Sequence, residues 1–220
     1  MFYRLIATSI LFFIAMRLSA QTGGLEQNES YQKRNGFQYI SYKPAAAKHG
    51  RDGKDRFFVI QLIKGPKSGK AGKDGAPGPD LKIYVDALKL ADSAILRVIV
   101  YLTRKVPLAD TFYVNPRYGQ IKIASDGGDG GSGGKGEDGG GSNGSNGNGG
   151  NGGSIDVVIS KAAQVFVKYD CFIFSNEGGQ GGWQDYNSDR RGSTGKNGLP
   201  VYFKDEEGKV LYIYQDPYRK

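Results

Sequence analysis

"SDGGDGGSGGKGEDGGGSNGSNGNGGNGGSIDVVIS", residues 125–160, has no apolar side chain between Gly127 and Gly153, and then becomes an alternating strand. Sorting the tract by threes separates its residue types. From Gly127 to Gly139 one column holds Gly127, Gly130, Gly133, Gly136 and Gly139. A second holds Gly128, Gly131 and Gly134 before Glu137 interrupts it, and the third is polar throughout: Asp129, Ser132, Lys135 and Asp138. "GGGS" then shifts the frame, and a new column runs through Gly141, Gly144, Gly147, Gly150 and Gly153, with serine and asparagine between. Three is the repeat of a polyproline-II-type helix, which has no internal hydrogen bonds and directs its N–H and C=O groups outward. Bare glycine columns let such helices approach and bond to one another, while the polar columns are expected to face water. Two runs of equal length with a frame shift between them predict a hairpin of two threefold helices.

A disordered linker is the competing reading, because ordering backbone costs about 1–2 kcal/mol per residue and each hydrogen bond returns only about 0.5–1.5 kcal/mol. Ordered helices therefore need a flanking sheet to hold their ends together. Against the linker, charge stays out of one register for five turns. Collagen requires an unslipped glycine period and abundant proline, yet no proline lies between Pro116 and Pro200. Calcium is a weak alternative through Asp126, Asp129 and Asp138. "GGKGED" (133–138) matches the start of a calcium-binding nonapeptide, but Gly140 occupies its aliphatic position and no tandem copy follows. No cofactor is expected.

Outside the tract, β-branched and aromatic runs bounded by turn residues predict strands. They are "RFFVIQLI" (56–63), "LKIYVDAL" (81–88), "ILRVIVYL" (95–102), "TFYV" (111–114), "QIKIA" (120–124), "SIDVVIS" (154–160) and "VFVKYDCFIF" (165–174). A final hairpin joins "LPVYFKD" to "VLYIYQ" through "EEGK", and an edge strand is possible at 37–42 within a polar linker, residues 21–54. Only "DALKLADSAIL" resembles a helix. Further glycine segments recur at period three: Gly69, Gly72, Gly75 and Gly78; Gly192, Gly195 and Gly198; and the shorter sets Gly50 and Gly53, and Gly178, Gly179, Gly181 and Gly182. The expected fold is mainly β, an antiparallel sheet with polyglycine-II helices projecting from it, in one domain spanning 55–220.

"GKAGKDGAPGPDLKIYV" and "GGNGGSIDVVIS" resemble the glycine-helix-to-strand joints of the amino-terminal domain of the Obg family of ribosome-associated GTPases. The resemblance covers residues 65–88 and 125–160 and implies glycine helices growing out of a β-sheet. It does not extend to GTP binding, since the chain has no GxxxxGK[ST]; "GSTGKNG" lacks the preceding glycine and the hydroxyl after Lys196. The whole pattern is also similar to glycine-rich, collagen-like exported proteins of Gram-negative bacteria.

"MFYRLIATSILFFIAMRLSA" (1–20) has a basic start at Arg4, an apolar run from Leu5 to Met16 and a small-residue end. It is too short to span a bilayer and fits a cleavable secretory signal. The expected location is the periplasm, cell surface or medium, with membrane contact only through the signal if it is retained. The formal charge is +8, concentrated in residues 33–117, where 17 Lys and Arg face 7 Asp and Glu. Such asymmetry points to a polyanion or to a solvated surface. Lys67, Lys70 and Lys73 fall in one column of a threefold helix, and Arg51, Lys54, Arg56 and Lys64 extend the basic region. Trp183 and Tyr186 are candidates for stacking on sugars.

Cys171 is the sole cysteine and reads as a buried, inert thiol; His49 is the sole histidine and excludes histidine triads. Carboxylates such as Asp52 and Asp55 lie among cations and read as ion-pair partners. Together these features predict a non-catalytic exported envelope or surface scaffold. A binder of acidic polysaccharide is the alternative and an ice-binding face a weaker one. Envelope proteins and glycans are the expected partners, and no specific nucleic acid is.

Overall fold

The computed structural model describes residues 35–54, 64–90, 93–103, 108–184 and 191–216. The signal sequence, the run 56–63, Arg56 and Tyr186 lie outside them. The fold is mainly β, with strands β1 (Phe37–Ser41), β2 (Leu81–Leu90), β3 (Ser93–Leu102), β4 (Leu108–Val114), β5 (Gln120–Ala124), β6 (Ile155–Ile159), β7 (Phe172–Ser175), β8 (Tyr202–Asp205) and β9 (Val210–Ile213). They form a three-stranded sheet, β1-β5-β7, and a six-stranded sheet, β4-β3-β2-β6-β8-β9.

Alternation builds the core. Leu81, Ile83 and Val85 of β2 are buried, as are Val98 and Val100 of β3, Val157 and Ile159 of β6, and Phe203 of β8. Ile121 and Ile123 of β5 and Phe172 and Phe174 of β7 meet them in the same cluster, so the two sheets share one core. The outer face of the large sheet carries ion pairs among its apolar side chains: Asp86 pairs across the ladder with Arg97 at 2.8 Å, and Lys204 bonds Asp156 at 2.6 Å. Strand β3 lies between β4 and β2, the interior position its two apolar faces predict. The turn after β8 is closed by the Asp205 carboxylate, which accepts the Glu207 and Lys209 N–H groups, and by Gly208 at φ +88°.

The strands expected at 81–88 and 95–102 form, and the helix-like "DALKLADSAIL" between them contributes to a β2–β3 hairpin whose register runs from Leu81↔Leu102 to Leu90↔Ser93. Two expectations change. The run 165–174 is a strand only from Phe172, after a 3-10 turn at Tyr169–Cys171. The architecture is not one antiparallel sheet. β1-β5-β7 is wholly parallel, and β2-β6-β8 are parallel within a mixed sheet. Chain threading is the cause. β1, β5 and β7 each lead out into a glycine-bearing segment, and β2, β6 and β8 are each entered from one.

Candidate functional site

Six extended segments carry this threading: g1 (45–54), g2 (66–80), g3 (125–137), g4 (141–154), g5 (176–184) and g6 (191–199). Segments running the same way bond in step. Gly69, Gly72, Gly75 and Gly78 of g2 donate to the carbonyls of Ser142, Ser145, Asn148 and Asn151 of g4 at 2.7–2.9 Å. Ala47, Gly50 and Gly53 of g1 donate likewise to Asp129, Ser132 and Lys135 of g3. The expected tract hairpin forms. Gly144, Gly147 and Gly150 donate to Gly134, Gly131 and Gly128, each at 2.8 Å. Its turn holds Gly139 and Gly140 at φ +101° and +122°, so Gly139 belongs to the bend rather than to the column.

One relay crosses every segment: Gly192 N–H to Gly182, Gly182 to Gly147, Gly147 to Gly131, Gly131 to Lys73 and Lys73 to Lys48, at 2.8–3.1 Å. Part of the expected linker, residues 47–53, is thus bonded into the assembly.

Space, not backbone conformation, explains the glycines. None in g3 or g4 before Gly139 or after Gly140 has positive φ. A Cβ on Gly127, Gly130, Gly133 or Gly136 would instead strike a g4 carbonyl, and one on Gly144 or Gly147 the carbonyl of Lys70 or Lys73, all well inside the 3.0 Å that real Cβ atoms keep.

The polar columns are not simply hydration surfaces as expected, because each three-residue step leaves an N–H that side chains must satisfy. Asn146 and Asn143 accept the Gly133 and Gly136 N–H groups at 2.9 and 2.8 Å. Asn148 and Asn151 accept those of Ser193 and Lys196, both at 2.9 Å. Asp52 accepts from Lys135 at 2.7 Å, Asp74 from Asn148 at 2.6 Å, and the Nδ1 of exposed His49 from Ser132 at 3.0 Å. Glu137, the residue that interrupts the second column, is buried; it keeps the register through its own N–H and accepts the Lys67 N–H on its carboxylate at 2.6 Å.

The basic candidates Arg51, Lys54, Lys64, Lys67, Lys70 and Lys73 are all exposed. Trp183 is 52 % exposed, and its carbonyl accepts the Ser132 hydroxyl at 2.6 Å. The calcium alternative is not supported by the placement of its acids. Asp126 accepts from Ser175 and the Glu177 N–H, Asp129 from Lys43 and the Gln180 N–H, and Asp138 pairs with Lys135 at the hairpin tip. Among the described residues no three His, Cys, Asp or Glu groups are placed to hold a metal ion, and no described helix is long and apolar enough to cross a membrane. Cys171 is buried at the end of the 3-10 turn, and desolvation pushes its thiol up to about 12, so it stays protonated at neutral pH. An open cleft of about 250 Å³ lies where g6 enters the large sheet, lined by Phe174, Asn176, Leu199, Val201 and Tyr214. The Asn176 amide there donates to the Leu199 carbonyl at 2.7 Å.

Carboxylates of the segments make stability pH-dependent. The Ser154 hydroxyl and N–H hold Asp80 below the ordinary carboxylate range. At Asp129 burial pushes upward, but the Gln180 N–H and the Lys43 ammonium outweigh it and the net shift is downward. A carboxylate with a lowered folded pKa contributes stability that is present above the unfolded value, about 3.9, and disappears as pH falls through the folded value. Melting temperature is therefore expected to be flat above about pH 5 and to fall below about pH 4. Asp80→Asn should flatten that decline in a calorimetric pH series; an unchanged acid limb would show that Asp80 does not carry it.

Compared with protein-family models, with curated proteins and with solved structures, the chain gives no match.

Proposed function

We propose that the six segments are polyglycine-II helices packed in the manner of the Obg amino-terminal domain. We further propose that the protein is a non-catalytic, exported scaffold of the cell envelope or surface. The observation that carries this is the relay of backbone bonds from Gly192 to Lys48, with many of its links repeated at three-residue steps along the segments. Independent support comes from the apolar core that anchors both sheets at the segment bases and from the signal-like residues 1–20. A lone glycine run cannot offset its ordering entropy. Six runs tied into two sheets share that cost with apolar burial elsewhere. The result is a stiff assembly of backbone, held in register by the outer Asn and Asp side chains that accept its remaining N–H groups.

Amide hydrogen exchange tests the proposal. The N–H groups of Gly128, Gly131, Gly134, Gly144, Gly147 and Gly150 should exchange orders of magnitude more slowly than those of an unstructured peptide, approaching the protection of the core strands. In the same cells, fractionation should recover the chain outside the cytoplasm. Exchange at random-coil rates across 127–153 would remove the scaffold; recovery in the cytosol would remove export.

A further inference from the structure

Segments g1 and g2 lie antiparallel, with Lys70 N–H on the Arg51 carbonyl at 2.9 Å and Lys73 N–H on the Lys48 carbonyl at 3.1 Å. The same register sets Lys67 opposite Lys54, and a Cβ added to Gly53 would fall on the Lys67 carbonyl. Two rows of three cations, Lys48, Arg51 and Lys54 beside Lys67, Lys70 and Lys73, thus run side by side, and all six residues are exposed.

The charges of the segments are sorted. Asp52, Asp74, Asp80, Asp126, Asp129 and Glu137 each accept a backbone N–H of a neighbouring segment. The ion pairs among the described residues, Lys43–Asp129, Arg97–Asp86, Lys135–Asp138 and Lys204–Asp156, use none of the six cations. Six acids hold backbone, while these six cations enter none of those ion pairs.

We propose that this double row is a binding track for a linear acidic polysaccharide with widely spaced carboxylates. The inference rests on the threefold geometry proposed above, which places successive cations in a row about 9 Å apart. Duplex DNA carries a charge per about 3.4 Å of each strand, far denser than the track. A chain bearing one carboxylate on every second sugar repeats on the scale of the rows. Rigidity matters because a fixed row loses little backbone freedom on binding. Exposed pairs are individually weak, so affinity comes from several acting along one polymer and falls as salt shortens the screening length.

Titration of the full chain with hyaluronan oligosaccharides at low ionic strength is the test, read by calorimetry beside polygalacturonate, duplex DNA and anionic phospholipid vesicles. Hyaluronan should bind more tightly per charge than the other three. Replacing Lys67, Lys70 and Lys73 by Gln should weaken it about tenfold, the loss of three exposed ion pairs, and so should replacing Lys48, Arg51 and Lys54. Lys196→Gln, on g6, should leave it unchanged. Absent binding, equal loss with Lys196→Gln, or preference for DNA, vesicles or polygalacturonate would overturn the track. Amide exchange on each variant separates the two ideas: protected glycines without hyaluronan binding sink the track alone, whereas unprotected glycines in the wild type sink the scaffold beneath it.

Discussion

Gly147→Ala is expected to destabilise the protein by about 3–5 kcal/mol in urea unfolding, combining overpacking with the loss of the backbone bonds it displaces. Gly147 is surrounded by other segments. It donates to Gly131 and accepts from Gly182. Its carbonyl fills the space beside Gly130 and Gly192, and a Cβ on Gly147 itself would fall on the Lys73 carbonyl. The obstacle is backbone, which cannot rotate away as a flexible side chain would. The backbone angle of Gly147 is not positive, so alanine is excluded by space alone. Such a loss is a large share of the about 5–15 kcal/mol that holds a domain together. Ser145→Ala, two residues away on an exposed position, should change stability by less than about 0.5 kcal/mol. If the two variants unfold at the same urea concentration, the segments do not pack as described.

Phe203→Ala should cost about 3–5 kcal/mol. Phe203 is fully buried, and its ring sits 5.1 Å from Tyr169, 5.7 Å from both Phe172 and Phe174, and 5.8 Å from Tyr212. It belongs to β8 of the large sheet, while Phe172 and Phe174 belong to β7 of the small one. Removing the ring opens the seam at the foot of g5 and g6. Besides lower global stability, faster exchange is expected at Gly192 and Gly195, whose N–H groups bond across to g5. Phe203→Leu should recover most of the loss, since it keeps most of the volume. Recovery that fails with Leu would mean the aromatic edge contacts, rather than the filled space, dominate.

The strands were legible wherever alternation was clean: Gln120–Ala124 agrees with its run to the residue, and β6 to within one at each end. The hairpin of the glycine tract was legible too, from column lengths and the frame shift. What the sequence hides is set by long-range partners. Parallel pairing of β2, β6 and β8 depends on which segments share a direction, and no local pattern encodes that. Asn143 and Asn146 look like solvent-facing spacers until the unpaired N–H groups of Gly136 and Gly133 are beside them. In the candidate site, Lys67, Lys70 and Lys73 were visible as a column because they are collinear in sequence. The companion row was only partly visible. Charge alone points to Arg51 and Lys54, whereas the place of Lys48 in the row depends on the register between g1 and g2. The three-residue spacing of Lys48, Arg51 and Lys54 was the available signal.

The bond pattern between segments also restricts how the protein can change in length. Each step along a segment returns to the same neighbour only after three residues, so adding or deleting one or two amino acids would rotate everything beyond that point out of phase with the surrounding segments. Triplets can be accommodated, and when added to both limbs of the 125–154 hairpin they lengthen it by whole turns. This backbone keeps a reading frame of its own, and evolution can vary its reach only in quantised, matched increments.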